Sequence, residues 1–192
     1  MASPGSLLKS AVQRGTEFER RSLLVLQKHL SMSLNRIGGK SDGGIDLQGW
    51  WWLPSFALTR KEFDDGLRRR VRVLAQCKAI QKKMGPNFVR EMEGVLFQYS
   101  NETAASASQL IDTMIPTVAV LISQSPFTTS TILRAMSSSH SPIGSAIWNR
   151  ALCGDDGLLR GQIEARWERN PNGSGRPGLW WKGEPLRSWV PE

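Results

Sequence analysis

The sequence predicts a mixed α/β fold, a sheet flanked by helices, and three observations carry that reading. Segments 45–50 and 68–79 alternate polar and apolar residues with a period of two, as half-buried strands do. Segments 15–33 and 87–99 space their large apolar residues by three and four, as amphipathic helices do. Along the chain the order is helix, strand, strand, helix, strand, helix, strand, which suits strands covered by helices.

The first helix spans 15–33. Thr16-Glu17-Phe18-Glu19 fits a capping box at its start, and Leu23, Leu26 and Leu30 form the buried stripe. Glu19 lies one turn before Leu23 on that stripe. Two readings of it stay open: the capping partner of Thr16, or an inward-facing carboxylate at an open helix end. A glycine-dense run follows, Gly38-Gly39-Lys40-Ser41-Asp42-Gly43-Gly44, where turns and close backbone approaches are expected. Asp42 suits a turn beside Gly43 better than a ligand position.

In the strand 45–50, Ile45 and Leu47 should point one way, Asp46 and Gln48 the other. Residues 54–67 read as a long connection or hairpin tip. In the second strand, Arg68 to Ala79, Val71, Val73, Ala75, Cys77 and Ala79 share one face. Arg72, Leu74, Gln76 and Lys78 share the other, so two polar residues emerge side by side at the strand's end. The helix at 87–99 carries Phe88, Met92, Val95 and Tyr99 and continues into 103–114. Thr117–Ser123 (TVAVLIS) is a buried strand, Thr128–Ser137 a helix, and Ile143–Trp148 a short strand or turn. The tail from Asn170 to Pro191 holds Trp180, Trp181 and Trp189, too aromatic for an idle linker. The organisation expected is a disordered or targeting-like segment 1–14, a domain over 15–169, and a Trp-rich arm over 170–192 packed on it.

Composition narrows the function classes. The 192 residues suffice for a real core, and 40% hydrophobic with 22% charged content is near the globular norm. Lys plus Arg number 25 against 17 Asp plus Glu, a net charge of +8, with a pI near 10.1. Such an excess favours a polyanionic partner, nucleic acid first and an anionic membrane surface second, over a merely basic background. The two cysteines, Cys77 and Cys153, have neither CxxC nor zinc spacing, which argues against a disulfide framework. Cys77 reads as a small buried hydrophobe. His29 and His140 share no ligand spacing. No apolar run is long enough to span a bilayer, so no membrane insertion is expected. Residues 1–14 contain Ser3, Ser6, Lys9, Ser10 and Arg14 and no acid, which resembles an organelle transit segment but is short for one.

The chemistry-bearing residues are Glu19 on a helix, Asp46 on one strand, and Gln76-x-Lys78 on the next. An Asp and a polar-x-Lys on paired strands can meet at one sheet edge, because alternate residues share a face. Carboxylates, amide oxygens and backbone carbonyls are the hard ligands a divalent ion needs. The ion lowers the pKa of a bound water and offsets phosphate charge, while a nearby ammonium stabilises charge developing at phosphorus. The set fits phosphodiester hydrolysis. An alternative for Lys78 is the guard of an edge strand. Trp50-Trp51-Trp52 suits core packing better than base stacking. The basic run Arg68, Arg69, Arg70 and Arg72, with Lys82 and Lys83 beyond the strand, reads equally as a phosphate grip near the site or as a solubilising arm.

GTEFER, GGKSDGGIDLQG and VLAQCKA together resemble the Mrr-like branch of the PD-(D/E)XK restriction-endonuclease superfamily. VREMEG and SPFTTSTILRA are similar to later parts of that branch. Within it, the GTxFE opening, the GGxxDGGIDLxGWW block and the Trp-containing C-terminal region resemble the fungal mitochondrial "required for respiratory growth" family. The resemblance covers roughly residues 15–148 and, more loosely, the tail. It implies a restriction-endonuclease-like fold and a mitochondrial endonuclease hydrolysing DNA with Mg²⁺ or Mn²⁺. Asp46, Glu19, Gln76 and the backbone carbonyl of Cys77 would be its ligands and Lys78 its catalytic lysine. A homodimer is common among such nucleases. Gln76 is neutral where many relatives of the wider superfamily carry an acid, which leaves fewer anionic ligands. The alternative is a nuclease-like fold that grips nucleic acid without cutting, serving maintenance or expression of the mitochondrial genome.

Overall fold

The computed structural model describes residues 10–37, 43–54, 68–105, 116–137, 146–147, 163–169, 175–181 and 183–191. Helix α1 runs over Ala11–Leu30, starting four residues earlier than the sequence pattern suggests. Its cap is Ser10, whose side chain accepts from the Gln13 amide while the Gln13 side chain accepts from the Ser10 amide. Thr16 and Glu19 therefore lie inside the helix, and the capping role expected of them falls to Ser10 and Gln13. The helix stops at Ser31, which takes the left-handed conformation (φ 58°).

Strand β1, Met32–Arg36, follows at once. The helix expected over 15–33 had taken in Met32 and Ser33. Strand β2, Leu47–Pro54, pairs antiparallel with β1 and with β3, Arg68–Lys78. Gly49 makes the first pairing possible: a Cβ there would lie 2.1 Å from the Ser33 carbonyl oxygen. Helix α2, Asn87–Ala105, leads to β4, Thr117–Ser123, which lies parallel to β3. Helix α3, Thr129–Met136, is capped by Thr128, and the two-residue β5, Ala146–Ile147, adds in parallel beside β4. The result is a mixed sheet of order β1-β2-β3-β4-β5. The connection 54–67 falls outside the described residues from 55 to 67, as does the expected helix over 103–114 beyond Ala105.

The sheet separates two apolar layers. On one face Val71, Val73, Ala75 and Cys77 of β3 pack with Leu26 and Leu30 of α1 and with Leu47, Trp51, Leu53, Val118 and Val120. On the other, Leu74, Ala119 and Leu121 pack under Val89, Met92 and Leu96 of α2. Ile45 joins this second layer while Leu47 joins the first, so the two do not share a face as expected. The chain bends at Asp46, and regular alternation begins only at Leu47.

The tail forms a second, antiparallel sheet of β6, Ile163–Arg169, β7, Gly175–Trp181, and β8, Glu184–Leu186. Leu179 and Leu186 pack into the α1 layer. Beyond β8, the Ser31 amide donates to Ser188 Oγ (2.9 Å), Ser188 Oγ donates to the Gln27 carbonyl (3.1 Å), and the Trp189 amide donates to Ser31 Oγ (3.0 Å). These bonds satisfy groups left over at the end of α1.

Candidate functional site

The site expected from the sequence lies at the C-terminal end of β3. Beyond the last β2–β3 pair, Leu47 with Ala75, the Asp46 amide still donates to the Ala75 carbonyl (2.9 Å). The Asp46 side chain then reaches the adjoining backbone: Oδ2 accepts from the Cys77 amide at 2.6 Å. Asp46 is thus fixed to the strand that carries Gln76 and Lys78.

Gln76 faces α2 and is only 2% exposed. Its Nε2 donates to the Gly44 carbonyl (3.1 Å) and to Glu91 Oε1 (2.8 Å). Both neighbours are acceptors, so the amide has one sensible orientation, with nitrogen toward them. Its oxygen, Oε1, is buried without a hydrogen-bond partner. Gly44 holds φ +85°, and a Cβ on it would come within 3.4 Å of both Gln76 Nε2 and Val95. A left-handed, close-packed position of that kind favours glycine. Lys78 Nζ lies 3.5 Å from the same Glu91 oxygen and 5.5 Å from the Phe88 ring centre.

Glu19 and Arg36 form an ion pair on the α1 side, with the Arg36 Nε–H donating to Glu19 Oε2. That bond, then the charge of Glu19, with a smaller contribution from Asp46, raises the Arg36 pKa. Between these groups the Cys77 thiol is pushed up to about 12, chiefly by burial, with Asp46 and Glu19 adding to the rise and a Ser22 hydrogen bond and Lys78 opposing it. Cys77 is therefore a neutral thiol and not a nucleophile.

Gln76 and Lys78 thus converge on Glu91, Asp46 adjoins them through the Cys77 amide, and Glu19 is engaged by Arg36 on the α1 side. Glu91 has no part in the sequence-derived set. A signal for it exists: Glu91 lies one turn before Val95 on the flank of a buried helical stripe, the argument that had singled out Glu19. Among the described residues, no three His, Cys, Asp or Glu side chains are grouped to hold a metal. The available donors are a carboxylate at Asp46 and a buried amide oxygen at Gln76, which fit a hard divalent cation in kind.

The predicted cations divide into two groups. Lys82 and Lys83 are exposed on the loop directly after β3. That loop is pinned on both sides: Ser125 Oγ donates to the Ile80 carbonyl, the Met84 amide donates to Pro126 (3.0 Å), and Thr131 Oγ1 donates to the Met84 carbonyl (2.6 Å). Arg68, Arg70 and Arg72 belong to β3 itself, at its opposite end. Six strand residues at roughly 3.3 Å each put Arg72 about 20 Å from Lys78, so the arginine run does not border the Asp46–Lys78 cluster as the sequence reading had suggested. Arg69 is in the same strand; its side chain lies outside the described ones. Of the three tryptophans, Trp51 is core, at 1% exposure. Trp50 lies against Arg70 and Arg72, and Trp52 meets Trp189 edge-on.

Fold and site together define a mixed α/β protein with a polar Asp–Gln–Lys cluster at the end of a central strand. Residues 10–157 match the model of the family described as required for respiratory growth protein 7, and the chain belongs to that family. It is 38% identical over 94 residues to an uncharacterized mitochondrial protein of Schizosaccharomyces pombe, covering 49% of this chain and 34% of that one. It is 26% identical over 140 residues to the mitochondrial required for respiratory growth protein 7 of Candida glabrata, covering 57% of this chain and 55% of that one. The chain thus spans about a third and about half of these relatives' lengths. Both relatives are named mitochondrial, as the sequence reading expected. No solved structure matches the chain. No helix among the described residues is long and apolar enough to cross a membrane.

Proposed function

We propose that this chain is a mitochondrial nucleic-acid-binding protein on a restriction-endonuclease-like sheet, contributing to respiratory growth through maintenance or expression of the mitochondrial genome. The observation that carries the proposal is the rim at the C-terminal end of β3. There Lys82 and Lys83 stand exposed on a loop braced by three hydrogen bonds, beside the Lys78 ammonium. A braced loop loses little freedom when its lysines meet phosphates, and a chain of net charge +8 attracts polyanions from a distance. The family's description and its relatives' names support the respiratory and mitochondrial part of the reading.

A second reading, hydrolysis of a phosphodiester bond at the same end, is favoured by the partnerless buried oxygen of Gln76. In it, Asp46 and Gln76 Oε1 would hold Mg²⁺ or Mn²⁺, with the Cys77 carbonyl as an additional donor. Such an ion supplies an acidified water and charge neutralisation. Glu91 positions the Gln76 amide, and Lys78 stabilises charge at phosphorus. Glu19, tied to Arg36, contributes no ligand in this reading.

One set of assays separates the two. Duplex and single-stranded DNA and RNA are titrated in EDTA, and a panel of DNA structures is incubated with Mn²⁺. The first reading expects salt-sensitive binding in EDTA that Lys82→Gln with Lys83→Gln weakens and Asp46→Asn preserves. Absence of binding at 50 mM salt by the parent chain defeats it. The second expects cleavage abolished by Asp46→Ala and by Lys78→Ala with unchanged melting; cutting equal to the parent in both variants removes it.

A further inference from the structure

The other end of β3 carries an arrangement that the lysine rim does not use. Arg68, Arg70 and Arg72 sit two residues apart and so project from one face of the strand. Each guanidinium lies against an aromatic ring. Arg68 is 5.7 Å from the centre of Trp189, Arg70 is 4.5 Å from Trp50, and Arg72 is 4.6 Å from Trp50 and 5.7 Å from Tyr99. Arg72 Nη1 also donates to the Tyr99 hydroxyl at 2.8 Å. Arg70 is exposed, while Arg68 and Arg72 are half-buried.

A guanidinium against a ring can keep N–H edges for hydrogen bonding, because the ring attracts the cation and not those edges. At Arg68 the Nε and Nη1 atoms are buried, so the exposed Arg70 is the one that presents such edges to solvent. Side chains held this way have already given up much of the rotamer freedom that phosphate binding would cost. The spacing along the strand, roughly 6.7 Å, places successive positive charges in a row. The rings serve the arginines, so the row suits a sugar-phosphate backbone and reads no base.

We propose that Arg70, flanked by Arg72 on the Trp50 ring, is a second nucleic-acid contact, holding the phosphate backbone of a strand whose other contact is the Lys78–Lys82–Lys83 rim. The inference rests on the nucleic-acid reading above and adds a footprint. The two contacts stand about 20 Å apart along β3, with α2 lying on the face between them, so the bound polymer has to pass over or beside that helix.

The test uses the full chain and a labelled 24-base-pair duplex in EDTA, titrated over a series of salt concentrations, with a single strand of equal length as a parallel arm. Arg70→Gln should weaken binding about tenfold, the worth of one charge-assisted hydrogen bond. It should flatten the dependence of log K on log salt by about 0.9, one phosphate contact. Arg70→Lys should keep the slope and lose part of the affinity. Arg70 is exposed, so both variants should melt with the parent. A parent that binds, with an Arg70→Gln variant of equal affinity and slope in both arms, overturns the second contact and leaves the rim intact. A parent that binds neither probe removes the rim and the row together.

Discussion

Replacing Gln76 by Glu sets a carboxylate where the buried amide lies, and the geometry says that it should be costly. The parent amide donates to a main-chain carbonyl at Gly44 and to the Glu91 carboxylate. A carboxylate donates to neither and sets oxygen against oxygen at both contacts. Losing a neutral bond costs about 1 kcal/mol and losing one to a charged group about 1.5–3. The half-exposed Glu91 can turn to water, so a total of about 4 kcal/mol is reasonable. At roughly 2–4 °C per kcal/mol for a chain of this size, Gln76→Glu should melt about 12 °C below the parent at pH 7 in EDTA. Gln76→Leu provides the contrast. It forfeits the same bonds but also removes the buried, partnerless oxygen, whose burial costs about 1–3 kcal/mol, so it should lose only about 1–3 kcal/mol relative to the parent. The sign of the pH effect is fixed too. Burial among acceptors raises the new carboxyl's folded pKa above its unfolded value near 4.3, so the stability it contributes is present below that pH and lost as pH rises. The deficit should therefore shrink toward about pH 4. Thermal melts by circular dichroism at two pH values measure all of this. If Gln76→Glu melts with the parent at pH 7, the amide is not held between Gly44 and Glu91, and the assignment of its oxygen fails.

Two further outcomes follow from the same structure. Gly49→Ala places a Cβ 2.1 Å from the Ser33 carbonyl oxygen and 2.9 Å from the Leu34 Cα, both main-chain atoms that cannot rotate away, so β1 must move off β2. A loss of about 3 kcal/mol or more is expected, at the upper end of overpacking, and a melt unchanged from the parent would contradict the β1–β2 register. The Cys77 thiol, raised from 9.0 to about 12, should react slowly with a disulfide reagent at pH 8 in the folded chain and quickly in urea. Because the fold favours the protonated thiol, its contribution to stability is full below pH 9.0 and lost as pH rises toward 12, which a pH series of urea unfolding curves reads directly.

How far the sequence revealed this molecule depended on whether a residue's neighbours were local. In β3, alternate residues pack on opposite layers as the period of two requires, and Val71, Val73 and Ala75 lie where the pattern placed them. The helical stripe of α2 was legible for the same reason. The break between α1 and β1 was not. Ser31 adopts a left-handed turn without glycine, held by Ser188 and Trp189, and nothing within the window 15–36 reveals those partners. The bend at Asp46 was hidden likewise, because the partner of its side chain, the Cys77 amide, lies 31 residues further on in β3. At the site, Asp46, Gln76 and Lys78 were legible as residue types at a strand end. The engagement of Glu19 by Arg36 and the place of Glu91 between Gln76 and Lys78 were not, since each depends on how a helix lies on the sheet. The arginine run was recognised as basic, yet only the strand's length shows that it stands at the far end.

The seal over Ser31 has a consequence for how the chain acquires its fold. The partners of that turn are 157 and 158 positions further along, so a nascent or partly imported chain presents α1 and β1 with their junction unfinished. Contacts of such long separation form late and slow the folding of any topology that needs them. Until residues 188 and 189 arrive, the polar groups at the end of α1 depend on water, and the apolar layer receiving Leu179 and Leu186 stays open on that side. Completion of the first helix is thereby coupled to arrival of the segment just past β8, so neither part of this unit is finished before the other.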